Sequence, residues 1–270
     1  MIVRAPATSA NLGAGFDIAA VALDLWNELE IGPANGSPPD PTHLAVRAFA
    51  RFADPNRWTF RFTDRIPRER GLGSSAATVA LGLVAGASAA SVEATAAELL
   101  AEGLDLEGHP DNLAAALTGG VCLTWDGRIA RIADDMPATP IAVVPPDRVR
   151  TAEARAALPA TVDHAQASFS VGRATLLGAA LAAGDARLLA ASADDRLHEP
   201  YRTALAPHLA AIRNELPPGA LGATLSGSGP TVLVWADKER AMEVVAALEE
   251  RFAEHEVLHL KVATNGAGVT

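Results

Sequence analysis

Three observations predict an α+β protein of two layers. Strand-like alternation and helix-like periodicity are mixed within each half of the 270 residues rather than segregated. Four prolines crowd one short apolar run in "DDMPATPIAVVPPD", which marks a domain boundary and gives residues 1–138 and 139–270. The hydrophobic fraction is 49%, much of it alanine, and the mean hydropathy is +0.16, enough for a packed core with closely approaching helices.

The elements follow in order. "IVRAPATSA" reads as an opening strand that ends at "NLGAGFD", and "VALDLWNELEIG" as a second strand running into the Pro/Gly/Asn loop "GPANGSPPDP". "THLAVRAFARFA" has helical spacing, and "RWTFRF" alternates as a strand does. Helices are predicted from about Ser75 to Ala90 and from Val92 to Glu102. "EGHPDNLAAALTGG" reads as a loop, a short helix and a glycine stop. "VCLTWDGRIARI" reads as a hairpin turning at Asp126-Gly127. Beyond the boundary come two paired helices in 165–197, two strands joined by a glycine-serine turn in 219–237, an amphipathic helix at "KERAMEVVAALEERFAEH" and a last strand, "EVLHLKVA".

A net charge of −10 and a pI near 5.1 disfavour nucleic acid and anionic lipid as partners. The single cysteine, Cys122, has no internal partner and lies in a strand-like stretch, so it reads as a packed thiol in a reducing compartment. "MIVRAPATS" lacks a charged lead-in and an apolar signal core, and the run "AATVALGLVAGASAASV" is short for a membrane span; a cytoplasmic location is expected.

The segment "RERGLGSSAAT" places two glycines and two serines ahead of an alanine-rich helix. It formally matches a dinucleotide fingerprint, but Pro67 and "TDRIPRER" separate Gly71 from the preceding strand, and Glu93 lies between helices rather than at a strand end. The lysine-bearing P-loop is absent; the only lysines, Lys238 and Lys261, are far from any glycine turn. Two readings stay open on these residues alone: an ordinary helix cap, or a phosphate cradle built on helix N–H groups with Arg68 and Arg70 at its flanks.

"PATSANLGAGFDIAAVALDL", "PRERGLGSSAA" and "LSGSGPTVLVW", in that order, resemble the three motifs of the GHMP kinases, the family of galactokinase, homoserine kinase, mevalonate kinase and phosphomevalonate kinase. Within it, "PATSANLGAGFD", "EGHPDNLAAALTGG" and "DRLHEPYR" are similar to the homoserine kinase branch, with Ala14 where the usual wording has proline. The resemblance implies the two-domain GHMP kinase fold: an N-terminal domain like part of a ribosomal protein and a C-terminal ferredoxin-like domain. The stretch "ELEIGPANGSPPDPTHL" is shorter than usual for the family.

The resemblance also implies roles. ATP phosphates would be wrapped by Pro67, Arg68, Glu69, Arg70, Gly71, Leu72, Gly73, Ser74, Ser75, Ala76 and Ala77. Mg²⁺ would meet Ser75 and Glu107, with Glu102 and Glu98 as competitors for the acidic ligand. The L-homoserine amino group would be held by Asn11 and Asp17, and its carboxylate by Arg173 and Arg202, Arg196 being the rival of Arg202. His109 and Asn112 would face the substrate, and catalytic roles would fall to Asn112, Ser75 and Asn11 in a direct in-line phosphoryl transfer. Asp111 receives no role. The implied partners are L-homoserine and ATP, with a homodimer left open. A mevalonate- or shikimate-type kinase, and a non-catalytic ATP sensor, are the alternatives.

Overall fold

The computed structural model describes residues 1–270. The expected opening strands are β1 (Ile2–Ala10) and β2 (Ala19–Pro33), paired antiparallel. The last six residues of β1 are all buried rather than alternating. Helices pack on this strand, and the loop at 226–229 closes over its end, with Gly227 N–H donating to Ala10 O and Ser226 Oγ to Ser9 Oγ.

α1 (Leu44–Phe49) and β3 (Trp58–Thr63) follow, β3 pairing with β2. α2 (Ser74–Ala89) is the predicted alanine-rich helix; Ala76, Ala77, Ala80, Gly82, Ala85, Gly86 and Ala87 are all buried. The next helix differs from expectation. α3 spans Ala96–Glu107 instead of starting near Val92. Thr95 and Glu98 form a reciprocal capping box that fixes the start, and Gly108, at φ +77°, terminates it. The helix therefore runs five residues further than predicted from Glu102 and carries Glu107 on its last turn.

α4 (Pro110–Thr118) begins with proline in its first turn and stops at Gly119. β4 (Val121–Trp125) and β5 (Arg128–Ala133) form the expected hairpin, with positive φ at both Asp126 and Gly127 as the tight turn requires. Cys122 is buried, close to the Thr118 hydroxyl.

The second sheet begins at β6 (Thr139–Val144), immediately after the expected boundary. α5 (Thr151–Ala156), α6 (His164–Ala183), α7 (Ala186–Ser192) and α8 (Pro207–Asn214) precede β7 (Ala220–Leu225) and β8 (Val232–Ala236); α9 (Ala241–Arg251) and β9 (Glu256–His259) follow. The strand order is β7-β8-β6-β9, all antiparallel, which is the ferredoxin-like arrangement. α5 and α8 have no counterpart in the sequence reading.

With β10 (Gly268–Val269) at its edge, the first sheet has order β10-β1-β2-β4-β5. This edge strand comes from the C-terminus and pairs with Val3 and Arg4. The last residues thus cross back to the first half, and the apolar core is continuous between the halves, joining Val21 and Leu23 to Val144, Leu181, Trp235 and Leu260. No helix is long and apolar enough to cross a membrane.

Candidate active site

Three loops and two helix starts converge on one cleft of about 220 Å³, whose lining carries many polar and charged side chains and few apolar ones. The 11–17 loop is held in left-handed backbone at Asn11, Leu12 and Asp17 (φ 72°, 48° and 57°). Asn11 is only 4% exposed and stabilises this conformation with both ends of its amide. Oδ1 accepts from Asp17 N–H at 3.0 Å, and Nδ2 donates to Gly227 O at 2.8 Å. Asn11 lines the cleft and at the same time joins the first and third motifs.

The second motif turns into α2 at Gly73, whose φ of +65° is left-handed. A Cβ there would lie 1.8 Å from Thr8 Oγ1, and one at Gly71 would lie 2.3 Å from Ser226 O. Only glycine fits either place. No side chain caps α2, so its first N–H groups are free to meet an anion in the cleft.

Pro67, Glu69, Arg70, Gly71, Gly73, Ser74 and Ser75 line the cleft. Leu72, Ala76 and Ala77 are fully buried and serve packing. Arg70 donates to the carbonyls of Pro145 and Pro146, and so braces the turn. Arg68 pairs with Asp64 and faces an adjoining groove of about 270 Å³ that shares Glu69, Ser74 and Ser75 with the cleft. That groove shares His43 with a further hollow walled by Trp58, Phe60 and Phe62.

Glu107 enters the cleft because it continues the inward face of α3, after Leu99, Leu100 and Gly103. Glu98 is spent in the capping box and Glu102 is exposed, so neither competitor reaches the cleft. Burial pushes the Glu107 carboxyl up to about 7; the Ser75 hydroxyl opposes this, and Asp111 adds to it. Glu107 Oε2 is buried without a hydrogen-bond partner. A covered, unpartnered carboxylate oxygen beside a serine hydroxyl suits a hard cation such as Mg²⁺, which takes oxygen ligands and retains others from water and phosphate.

At the start of α4, His109 lines the cleft and Asp111 is 3% exposed. Burial raises the Asp111 pKa, and its Oδ1 accepts from Asn112 N–H at 2.7 Å. Asn112 Oδ1 accepts the Thr8 hydroxyl at 2.8 Å, which ties α4 to β1 beneath Gly73.

At the charged end of the cleft the structure places Arg155 and Arg202, and not Arg173 or Arg196. Arg173 sits on α6, donates to Ala191 O at 2.7 Å and packs over Phe169; it lines a separate depression with Arg213. Arg196 also packs over Phe169. Neither lines the cleft. The guanidinium beside Asp17 belongs instead to Arg155 of α5, which donates to both carboxylate oxygens at 2.8 and 3.1 Å. Both side chains of this pair are 43% exposed. Arg202 lies beside it, 2% exposed, donating to Ala154 O, Gly227 O and His198 Nδ1. The Phe16 ring lies close to both guanidinium groups, 5.7 Å from Arg155 and 5.6 Å from Arg202. Arg155 escaped the sequence reading because a six-residue helix carries too little periodicity to stand out.

This arrangement defines a small-molecule kinase: an anion cradle at one end of a polar cleft and a zwitterion-sized charge pair at the other. The family "GHMP kinases N terminal domain" matches residues 43–120 and "GHMP kinases C terminal" matches 178–254. The chain belongs to the GHMP kinase family. Among its curated relatives is a homoserine kinase of Streptomyces coelicolor, 38% identical over 90% of this chain and 87% of the relative. A homoserine kinase of Gloeobacter violaceus is 39% identical over 92% and 91%. The crystal structure of homoserine kinase from Cytophaga hutchinsonii superposes with a TM-score of 0.87 at 27% identity, covering 100% of this chain and 97% of that one.

Proposed function

We propose that this protein is a homoserine kinase, transferring the γ-phosphoryl group of ATP to the side-chain hydroxyl of L-homoserine to give O-phospho-L-homoserine and ADP, a step of threonine biosynthesis. The observation that carries the substrate assignment is the Asp17–Arg155 pair with Arg202 beside it, in the same cleft as the free N-terminus of α2. An α-amino acid presents an ammonium and a carboxylate on one carbon, and it can take over both partners at once. Asp17 receives the ammonium, while Arg155 turns its fork from Asp17 to the carboxylate with Arg202 alongside. One internal ion pair is exchanged for two external ones, so no charge is left unpaired in the half-buried site.

The triphosphate of ATP lies along the α2 N-terminus. Its nucleoside follows the groove past Ser74 and Ser75 toward His43 and the aromatic wall of Trp58, Phe60 and Phe62. The free N–H groups of 73–75 neutralise charge on the transferring phosphoryl group. Asn112, fixed by Thr8, orients the acceptor hydroxyl for in-line attack, and His109 closes the same side. Ser75 and Glu107 would hold Mg²⁺, which when bound would offset phosphate negative charge. The lone buried thiol supports a reducing, cytoplasmic location.

ADP release measured on homoserine, mevalonate, shikimate and galactose tests the reading. Homoserine should be turned over best. Turnover of mevalonate without homoserine would overturn the substrate, and turnover of none with ATP still bound would overturn the activity.

A further inference from the structure

Behind Arg202 lies a buried network that binds no part of the expected ligand yet reaches the 11–17 loop at Gly13 and, through Arg202, Ala154 and Gly227. His198 is fully buried, and its ring stacks on Phe16 with centroids 4.9 Å apart. Its Nδ1 is 3.1 Å from Arg202 Nη1, and its Nε2 is 2.8 Å from Gly13 O. Arginine has no acceptor, so Nδ1 must accept and Nε2 must carry the proton given to Gly13 O. The two contacts fix one tautomer of a neutral ring. A proton on Nδ1 would face the guanidinium directly, and burial also holds the His198 pKa below the ordinary imidazole value.

Three charged groups face the ring: Arg202, Asp195 (Oδ2 at 3.7 Å from Nε2) and Glu199. Each carboxylate is already committed. Asp195 accepts the N–H groups of Leu197, His198 and Glu199 and the Ser170 hydroxyl. Glu199 accepts Leu225 N–H and pairs with Arg213. Both carboxylates therefore fix the turn that aims His198 and leave its ring uncharged.

We propose that His198 is a positioning residue for the amino-acid substrate, a neutral imidazole strut that sets the 11–17 loop and the Arg202 guanidinium relative to each other. This rests on reading Arg202 as a ligand of the substrate carboxylate. Asp17 is on the loop whose Gly13 carbonyl receives the strut, and Arg202 is at the strut's other end. The two halves of the substrate head group are thus referenced to one ring.

The test compares three variants by homoserine and ATP kinetics. His198→Phe fills the space and removes both hydrogen bonds. His198→Asn keeps an acceptor near the Nδ1 position, and His198→Gln keeps a donor near the Nε2 position. The homoserine KM should rise about tenfold or more in His198→Phe, from the loss of a buried hydrogen bond to a charged group. The rise should be smaller in His198→Asn, with the KM for ATP within about twofold throughout. ¹⁵N NMR of the wild type should show a neutral ring protonated at Nε2 at neutral pH. A homoserine KM unchanged in well-folded His198→Phe, a rise in His198→Asn as large as in His198→Phe, equal rises in both KM values, or an Nδ1–H tautomer would each overturn the proposal. Wild-type protein that does not turn over homoserine would instead refute the substrate reading itself.

Discussion

Replacing Arg155 by alanine separates the cleft seen in the fold from the one the family resemblance implied. Its guanidinium is already shaped to a carboxylate, with two N–H groups on Asp17 at 2.8 and 3.1 Å. A charge-assisted contact of this kind to a ligand carboxylate is worth about 1.5–3 kcal/mol, or about 10- to 150-fold in binding. Asp17, relieved of its partner, attracts the ammonium more strongly and offsets part of the loss. The homoserine KM should therefore rise toward the lower end, about 10- to 50-fold. The KM for ATP should stay near the wild-type value, because the α2 cradle is untouched. Folding stability should hardly change: a pair with both side chains 43% exposed contributes ~0–1 kcal/mol, which is at most ~2–4 °C in Tm. Arg155→Lys keeps the charge without the fork and should fall between alanine and wild type. Arg173→Ala removes only a bond to Ala191 O and packing on Phe169, so its homoserine KM should stay within about twofold. Steady-state kinetics with a coupled ADP assay, alongside thermal melts, decide the matter. A large rise in Arg173→Ala with none in Arg155→Ala would refute the assignment of the carboxylate site.

Three further outcomes are expected. Gly73→Ala combines a left-handed backbone with a Cβ placed 1.8 Å from Thr8 Oγ1, so it should destabilise by ~2–4 kcal/mol and weaken ATP binding; an unchanged Tm and ATP KM would contradict the close packing of α2 on β1. The Glu107 carboxyl, held near 7 against an ordinary 4.5, keeps a proton that the unfolded chain releases, so metal-free wild type should lose stability as pH rises from about 4.5 to 7, by ~3 kcal/mol in total. Glu107→Gln should abolish that loss in urea titrations with chelator, and parallel pH curves for the two proteins would rule the burial argument out. Ser75→Ala should lower kcat by about tenfold or more and leave homoserine affinity nearly intact, because its hydroxyl acts on the phosphate side of the cleft; a selective rise in homoserine KM would count against this.

Much of the fold was legible where one physical rule governs one segment. The hairpin at Asp126-Gly127 was readable because tight turns demand positive φ, and the break at Gly119 because it ends a helix. The start of α3 was misplaced by several residues. Thr95 and Glu98 cap it, but "AASVEATAAELL" is apolar and alanine-rich on both sides of Thr95, so periodicity alone does not locate the cap. The same displacement hid why Glu107, and not Glu98 or Glu102, faces the cleft: three acidic residues of one helix differ only in the face they present.

By itself the sequence determined the ordered motifs, the glycine-serine turn into α2, the loop carrying Asn11 and Asp17, and Arg202 after Pro200. These are local properties, set by backbone freedom and chain neighbours. Tertiary structure decided which arginine stands opposite Asp17. Arg155 and Asp17 are 138 residues apart, and only the docking of α5 over the 11–17 loop brings them to hydrogen-bonding distance. It also decided that Asn11 and His198 act as struts. A buried side chain's role depends on which backbone carbonyls and side chains the folded chain brings to its polar atoms, and here those are Gly227 O, Gly13 O and Arg202.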